Sequence, residues 1–90
     1  MVIWKWRLKL EEKQILSVPQ GAQFLTTQTQ NGNPQIWALC DETAPKVMRS
    51  IAIYGTGHPM PKNPGQYIAT FQLIDLELVF HVFEIKGGKE

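Results

Sequence analysis

Hydrophobic and polar residues alternate along most of the chain, and glycine or proline breaks the alternation at short intervals. From Val2 to Leu10, the apolar residues Val2, Trp4, Trp6, Leu8 and Leu10 share one side of an extended strand, with Lys5, Arg7 and Lys9 on the other. "QILSV" predicts a second strand, and "PQGA" after it a tight turn. "QFLTTQTQ" predicts a strand with one wet face. It is joined through "NGN", a strong hairpin signal, to "PQIWALCD", where Ile36, Ala38 and Cys40 oppose Trp37, Leu39 and Asp41. "DETAPK" supports one helical turn or a loop, because Pro45 follows Asp41 and Thr43 so closely.

"VMRSIAIYG" is the next strand. "QYIATFQLI" then sets Tyr67, Ala69, Phe71 and Leu73 against Ile68, Thr70 and Gln72. A tight turn near Asp75 leads into "ELVFHVFEI", apolar on both faces and therefore expected at the centre of a sheet. The sum is an all-β chain of six to seven strands, either a small antiparallel β-barrel or a two-sheet β-sandwich. Residues 1–86 form one all-β domain in this reading and 87–90 a flexible tail. Exposed strand edges call for barrel closure or for a second subunit, so a homo-oligomer is expected.

Composition narrows the functional classes. With nine Lys and Arg against eight Asp and Glu, the net charge is +1, too small and too scattered for duplex nucleic acid. A single cysteine, Cys40, excludes an internal disulfide, and no apolar run is long enough to span a membrane. A cytoplasmic protein without a membrane partner is the expectation. Cys40 reads as a buried structural thiol. His58, His81 and Cys40 are too few and too widely spaced for a metal set, so neither metal nor cofactor is expected. An enzyme using His58 and His81 as acid and base lacks a third orienting group.

The stretch "IYGTGHPMPKNPG", Ile53 to Gly65, holds three of seven glycines and three of six prolines, which marks a stiff loop. Gly55 and Gly57 permit backbone angles that turn N–H groups toward an anion, while Thr56 and His58 add a hydroxyl and an imidazole. A rigid turn with no ligand explains the same residues, and both readings stay open. Arg49, on an otherwise apolar face, suits carboxylate or phosphate oxygens; a salt bridge to Asp41 or Glu84 is the competing account. His81 reads as a core histidine with one hydrogen bond. Tyr54 and Trp37 offer stacking faces.

The pieces "IWKW", "VPQGAQFL", "IWALCD", "IAIYGTGHP", "YIATFQ" and "LVFHVFE" resemble a family of small phage- and prophage-associated proteins of unknown function. Cys40 and Ala69 stand where that pattern leads one to expect valine and glycine. The resemblance implies binding rather than catalysis: a non-enzymatic homo-oligomer that sequesters a small anionic, nucleotide-derived immune signal of the host. Arg49, Tyr54, Gly55, Thr56, Gly57, His58 and Trp37 would line the site. The alternative is an inhibitor or adaptor of a host protein, acting through an exposed strand edge or the aromatic patch around Trp4 and Trp6.

Overall fold

Seven strands and one 3-10 turn follow the sequence pattern closely: β1 (Val2–Arg7), β2 (Lys13–Pro19), β3 (Gln23–Gln30), β4 (Asn33–Cys40), β5 (Lys46–Gly55), β6 (Gln66–Leu73), the turn Ile74–Leu76, and β7 (Leu78–Ile85). The structure, a computed structural model, describes residues 1–86; the tail expected at 87–90 lies outside them. The strands form two antiparallel sheets, a three-stranded one ordered β1-β4-β3 and a four-stranded one ordered β2-β5-β7-β6. Neither closes on itself, so of the two expected architectures the sandwich is the one formed. It is a slab of 39 × 34 × 16 Å.

Local chemistry explains the connections. Asn31 and Gly32 both adopt positive φ, 53° and 80°, as a two-residue hairpin between right-twisted strands requires. Asp41 accepts from the Thr43 N–H at 2.9 Å and from its hydroxyl at 2.6 Å, which makes "DETAPK" a side-chain-braced turn. β7 lies between β5 and β6, as its two apolar faces predict.

The core forms where the inward faces meet: Leu8, Leu16 and Val18 from the first third of the chain, Ile36, Ala38 and Cys40 from β4, Ile51 and Ile53 from β5, and Phe71 and Val82 from the last two strands. Each fully buried aliphatic side chain of this size contributes about 1.5–3 kcal/mol. Cys40 is indeed a buried free thiol.

Two bulges alter the faces predicted from strict alternation. One, between Tyr67 and Ala69, brings Ile68 against the core and leaves Tyr67 on the outer side, where it pairs with Phe83. The other, between Phe24 and Thr26, lets both Phe24 and Thr27 face inward. The first strand also departs from expectation. It stops at Arg7, Leu8 is buried, and Leu10 and Trp4, expected inside, are exposed.

Thr27 pairs across from the buried Ile36, is 1% exposed, and has no hydrogen-bond partner for its Oγ1. A buried hydroxyl without a partner is destabilising. Thr27→Val keeps the shape and removes that atom. It should stabilise the fold by about 1 kcal/mol, raising the melting temperature by roughly 4–8 °C in a circular dichroism melt. At the end of the long loop, Gly65 has φ 101°, and a Cβ there would lie 2.2 Å from the Glu84 carbonyl oxygen. Gly65→Ala should therefore lower stability by at least about 1–3 kcal/mol in a urea titration.

Candidate functional site

The loop after β5 spends its donors on the protein's own carbonyls. The Thr56 N–H donates to Val79 O at 3.1 Å and the His58 N–H to Gly55 O at 3.1 Å, while Gly57 takes φ 86° to let the chain reverse. Two of the N–H groups expected to cradle an anion are thus already occupied. The His58 ring lies over Gly55: a Cβ on that glycine would come within 3.0 Å of Cε1 and Nδ1. Glycine at 55 is therefore a seat for the imidazole.

A cleft of about 410 Å³ opens beside this turn, lined by Leu10, Glu11, Glu12, Tyr54, His58 and Phe80 among others. It exists because β2 starts at Lys13, opposite Ala52, leaving the end of β5 beside the 10–12 segment; only Ile53 N–H to Glu12 O, at 2.9 Å, bridges the gap. The electrostatics of this cleft are negative. Burial first, and then the Glu12 carboxylate, push the Tyr54 phenol above its ordinary pKa.

Arg49 lies elsewhere. Its Nε donates to Glu84 Oε2 at 2.6 Å, its Nη2 to Glu84 Oε1 at 2.8 Å, and its Nη1 to the Ala22 carbonyl; the guanidinium carbon sits 4.5 Å from the Phe24 ring centre. Of the two salt-bridge partners considered for Arg49, it is Glu84 that pairs with it. A second cleft, about 300 Å³, includes Phe24, Arg49, Tyr67, Glu84 and Lys86 in its walls.

Of the seven residues expected in one site, Tyr54, Gly55 and His58 share the first cleft and Arg49 lines the second. Thr56 points to His81, and Trp37 lies in the other sheet, on β4 opposite Lys5 and Thr26. Among the described residues, no three His, Cys, Asp or Glu side chains gather as a metal set.

One constellation escapes sequence reading. On the outer face of the larger sheet, His81 is held at both ring nitrogens, Nε2 by the Thr56 hydroxyl at 2.7 Å and Nδ1 by the Thr70 hydroxyl at 3.0 Å. The Tyr67 hydroxyl meets Thr70 at 2.7 Å. Beside them Phe83 packs edge-on against Tyr54 and Tyr67, with ring centres 6.0 and 5.6 Å apart. His81 is therefore no core histidine. The alternation of β7 places it with Phe83, but only the pairing of Tyr54 and Thr70 with His81 shows which side is outermost.

A family profile described as "Domain of unknown function (DUF7352)" matches residues 1–90. The chain belongs to this family. No curated protein and no solved structure matches it. For this DUF7352 chain, function is therefore argued from its own surfaces. No helix is long and apolar enough to cross a membrane among the described residues.

The ion pair gives a pH prediction. Hydrogen bonding from Arg49 holds the Glu84 carboxyl below its ordinary range, against an opposing effect of burial and with further help from the Arg49 and Lys86 charges. A lowered folded-state pKa stabilises the native chain fully above the unfolded glutamate value of about 4.3, and that gain is lost as pH falls from there through the folded value. Melting temperature should drop on acidification below about pH 4.3. Glu84→Gln should flatten that slope while lowering stability at neutral pH. A shallower slope should persist, because the Thr43 hydroxyl and N–H also hold Asp41 low.

Proposed function

We propose that this DUF7352 chain is a non-enzymatic binding protein whose partner is another protein, engaged along β1. The observation that carries this reading is the state of that strand. Among the described residues β1 pairs with β4 alone, so its other edge presents unpaired backbone donors and acceptors. An extended segment of a partner can add to such an edge.

The side chains support it. Trp4 faces the same side as the buried Ala38, yet stays 39% exposed. Trp6 stands roughly perpendicular to it, with ring centres 6.4 Å apart, and the Lys46 ammonium lies 5.9 Å from its ring centre. Ile3 and Met1 are exposed beside it. Lys5 and Arg7 lie on the outer side, held by Gln30 and by Asn33 (2.7 Å for the latter). Like charges there disfavour pairing with a second copy and favour a different chain.

A second reading keeps the small anion. The Arg49–Lys86 cleft has two cations against the one carboxylate of Glu84, between the rings of Phe24 and Tyr67. In that reading a phage-borne chain in the host cytoplasm sequesters a nucleotide-derived immune signal, with Lys86 contacting its phosphate.

The two are separable. Affinity capture should recover one host protein in stoichiometric amount, and Ile3→Lys or Trp4→Ala should reduce that recovery at least tenfold without changing the melting temperature. Recovery that is indifferent to both substitutions overturns the β1 reading. AMP added to the isolated protein should shift the Phe24 and Tyr67 NMR signals only if the anion reading holds.

A further inference from the structure

One end of the sandwich has a chemistry that neither β1 nor the ion pair explains. Leu10 borders the 410 Å³ cleft beside His58 and also a cleft of about 520 Å³ whose walls include Gln72, Ile74, Asp75 and Leu76. Leu10, Ile74, Leu76 and Leu78 are all exposed, Ile74 at 78%. The 3-10 turn has no buried residue, so it holds its aliphatic side chains out into water. Apolar groups gathered in this way mark a contact surface.

Carboxylates rim the patch. Glu11 and Glu12 follow Leu10, and Asp75 and Glu77 alternate with Ile74, Leu76 and Leu78; together they are four of the chain's eight acidic residues. None of the four makes a salt bridge among the described residues. No lysine or arginine lines either cleft; Arg7, Lys9 and Lys13 border an adjoining cleft that Glu11 also lines. Within the first cleft Tyr54, only 4% exposed, contributes to the wall, and its hydroxyl has no hydrogen-bond partner among the described residues. A donor or acceptor in that position is open to an incoming group.

We propose that this end docks a basic, apolar peptide segment of a partner protein, with aliphatic side chains against Leu10, Ile74 and Leu76 and lysines or arginines facing Glu11, Glu12 and Asp75. Charge complementarity selects this occupant. A second copy would bring carboxylate against carboxylate, and a phosphate or an anionic membrane would meet the same repulsion. The surface involves different residues from β1, so either assignment can fail alone.

The test uses the whole chain and a fluorescent ten-residue peptide of alternating lysine and leucine, with an aspartate-for-lysine peptide as control. NMR shifts should fall on Leu10, Tyr54, Ile74 and Leu76, and anisotropy should show binding that weakens at least tenfold between 50 and 500 mM salt, as a charge-driven contact must. The double variant Glu11→Gln/Glu12→Gln should weaken binding at least tenfold, as should Ile74→Ser/Leu76→Ser. All four positions are exposed, so a melt identical to that of the parent checks the fold. Trp4→Ala, on the β1 surface, should leave the affinity for this peptide unchanged. The proposal is overturned by no binding, by equal binding of the acidic peptide, by shifts confined to β1, or by self-association of the chain through Ile74 and Leu76.

Discussion

The Arg49–Glu84 ion pair is the constraint on which the arrangement of the two sheets depends. Both residues sit in the four-stranded sheet, on β5 and β7, but the guanidinium reaches across to Ala22 O and to the face of Phe24 at the start of β3. It is mostly buried, with side-chain exposures of 20% and 9% for Arg49 and Glu84. Burying two charges is unfavourable unless geometry is good and the remaining donors are met; here the contact is bidentate and a carbonyl takes a third N–H. Removing either partner would strand the other. Gly65 closes the arrangement from behind, its backbone lying against the Glu84 carbonyl. The far end of the loop from Gly55 to Gly65 thus packs against the β7 backbone at the residue that carries the ion pair.

Much of this architecture was legible in the chain. Alternation located the strands, Asn31–Gly32 fixed a hairpin, and the two apolar faces of "LVFHVF" placed β7 centrally. What alternation misses is any position where two residues oppose one. The bulge at Ile68 put Tyr67 outside and thereby built the hydroxyl and aromatic cluster around His81. Trp4 departs from the pattern for a different reason: it shares the face of the buried Ala38, but β1 is an edge strand and leaves the ring 39% exposed.

The candidate site was less legible than the fold. Gly55 and His58 do belong together, through a packing contact that spacing alone suggests. Their acidic neighbours come from the segment before β2, and the carboxylates of the 3-10 turn from far along the chain. Each pair looks like an ordinary polar turn when read by itself. Only the sandwich brings them to one end, where an opening expected to attract anions is instead ringed by negative charge.

The hydrogen bonds around His81 also have a direction. Thr56 has one hydroxyl hydrogen, and its contact with Val79 O at 3.3 Å uses it. Its oxygen must then accept from Nε2–H, which leaves Nδ1 bare to accept from Thr70, and Thr70 in turn to accept from Tyr67. In this arrangement the phenol hydrogen is turned inward, toward Thr70. One continuous hydrogen-bond chain therefore ties the loop after β5 to the edge strand β6 across the face of β7.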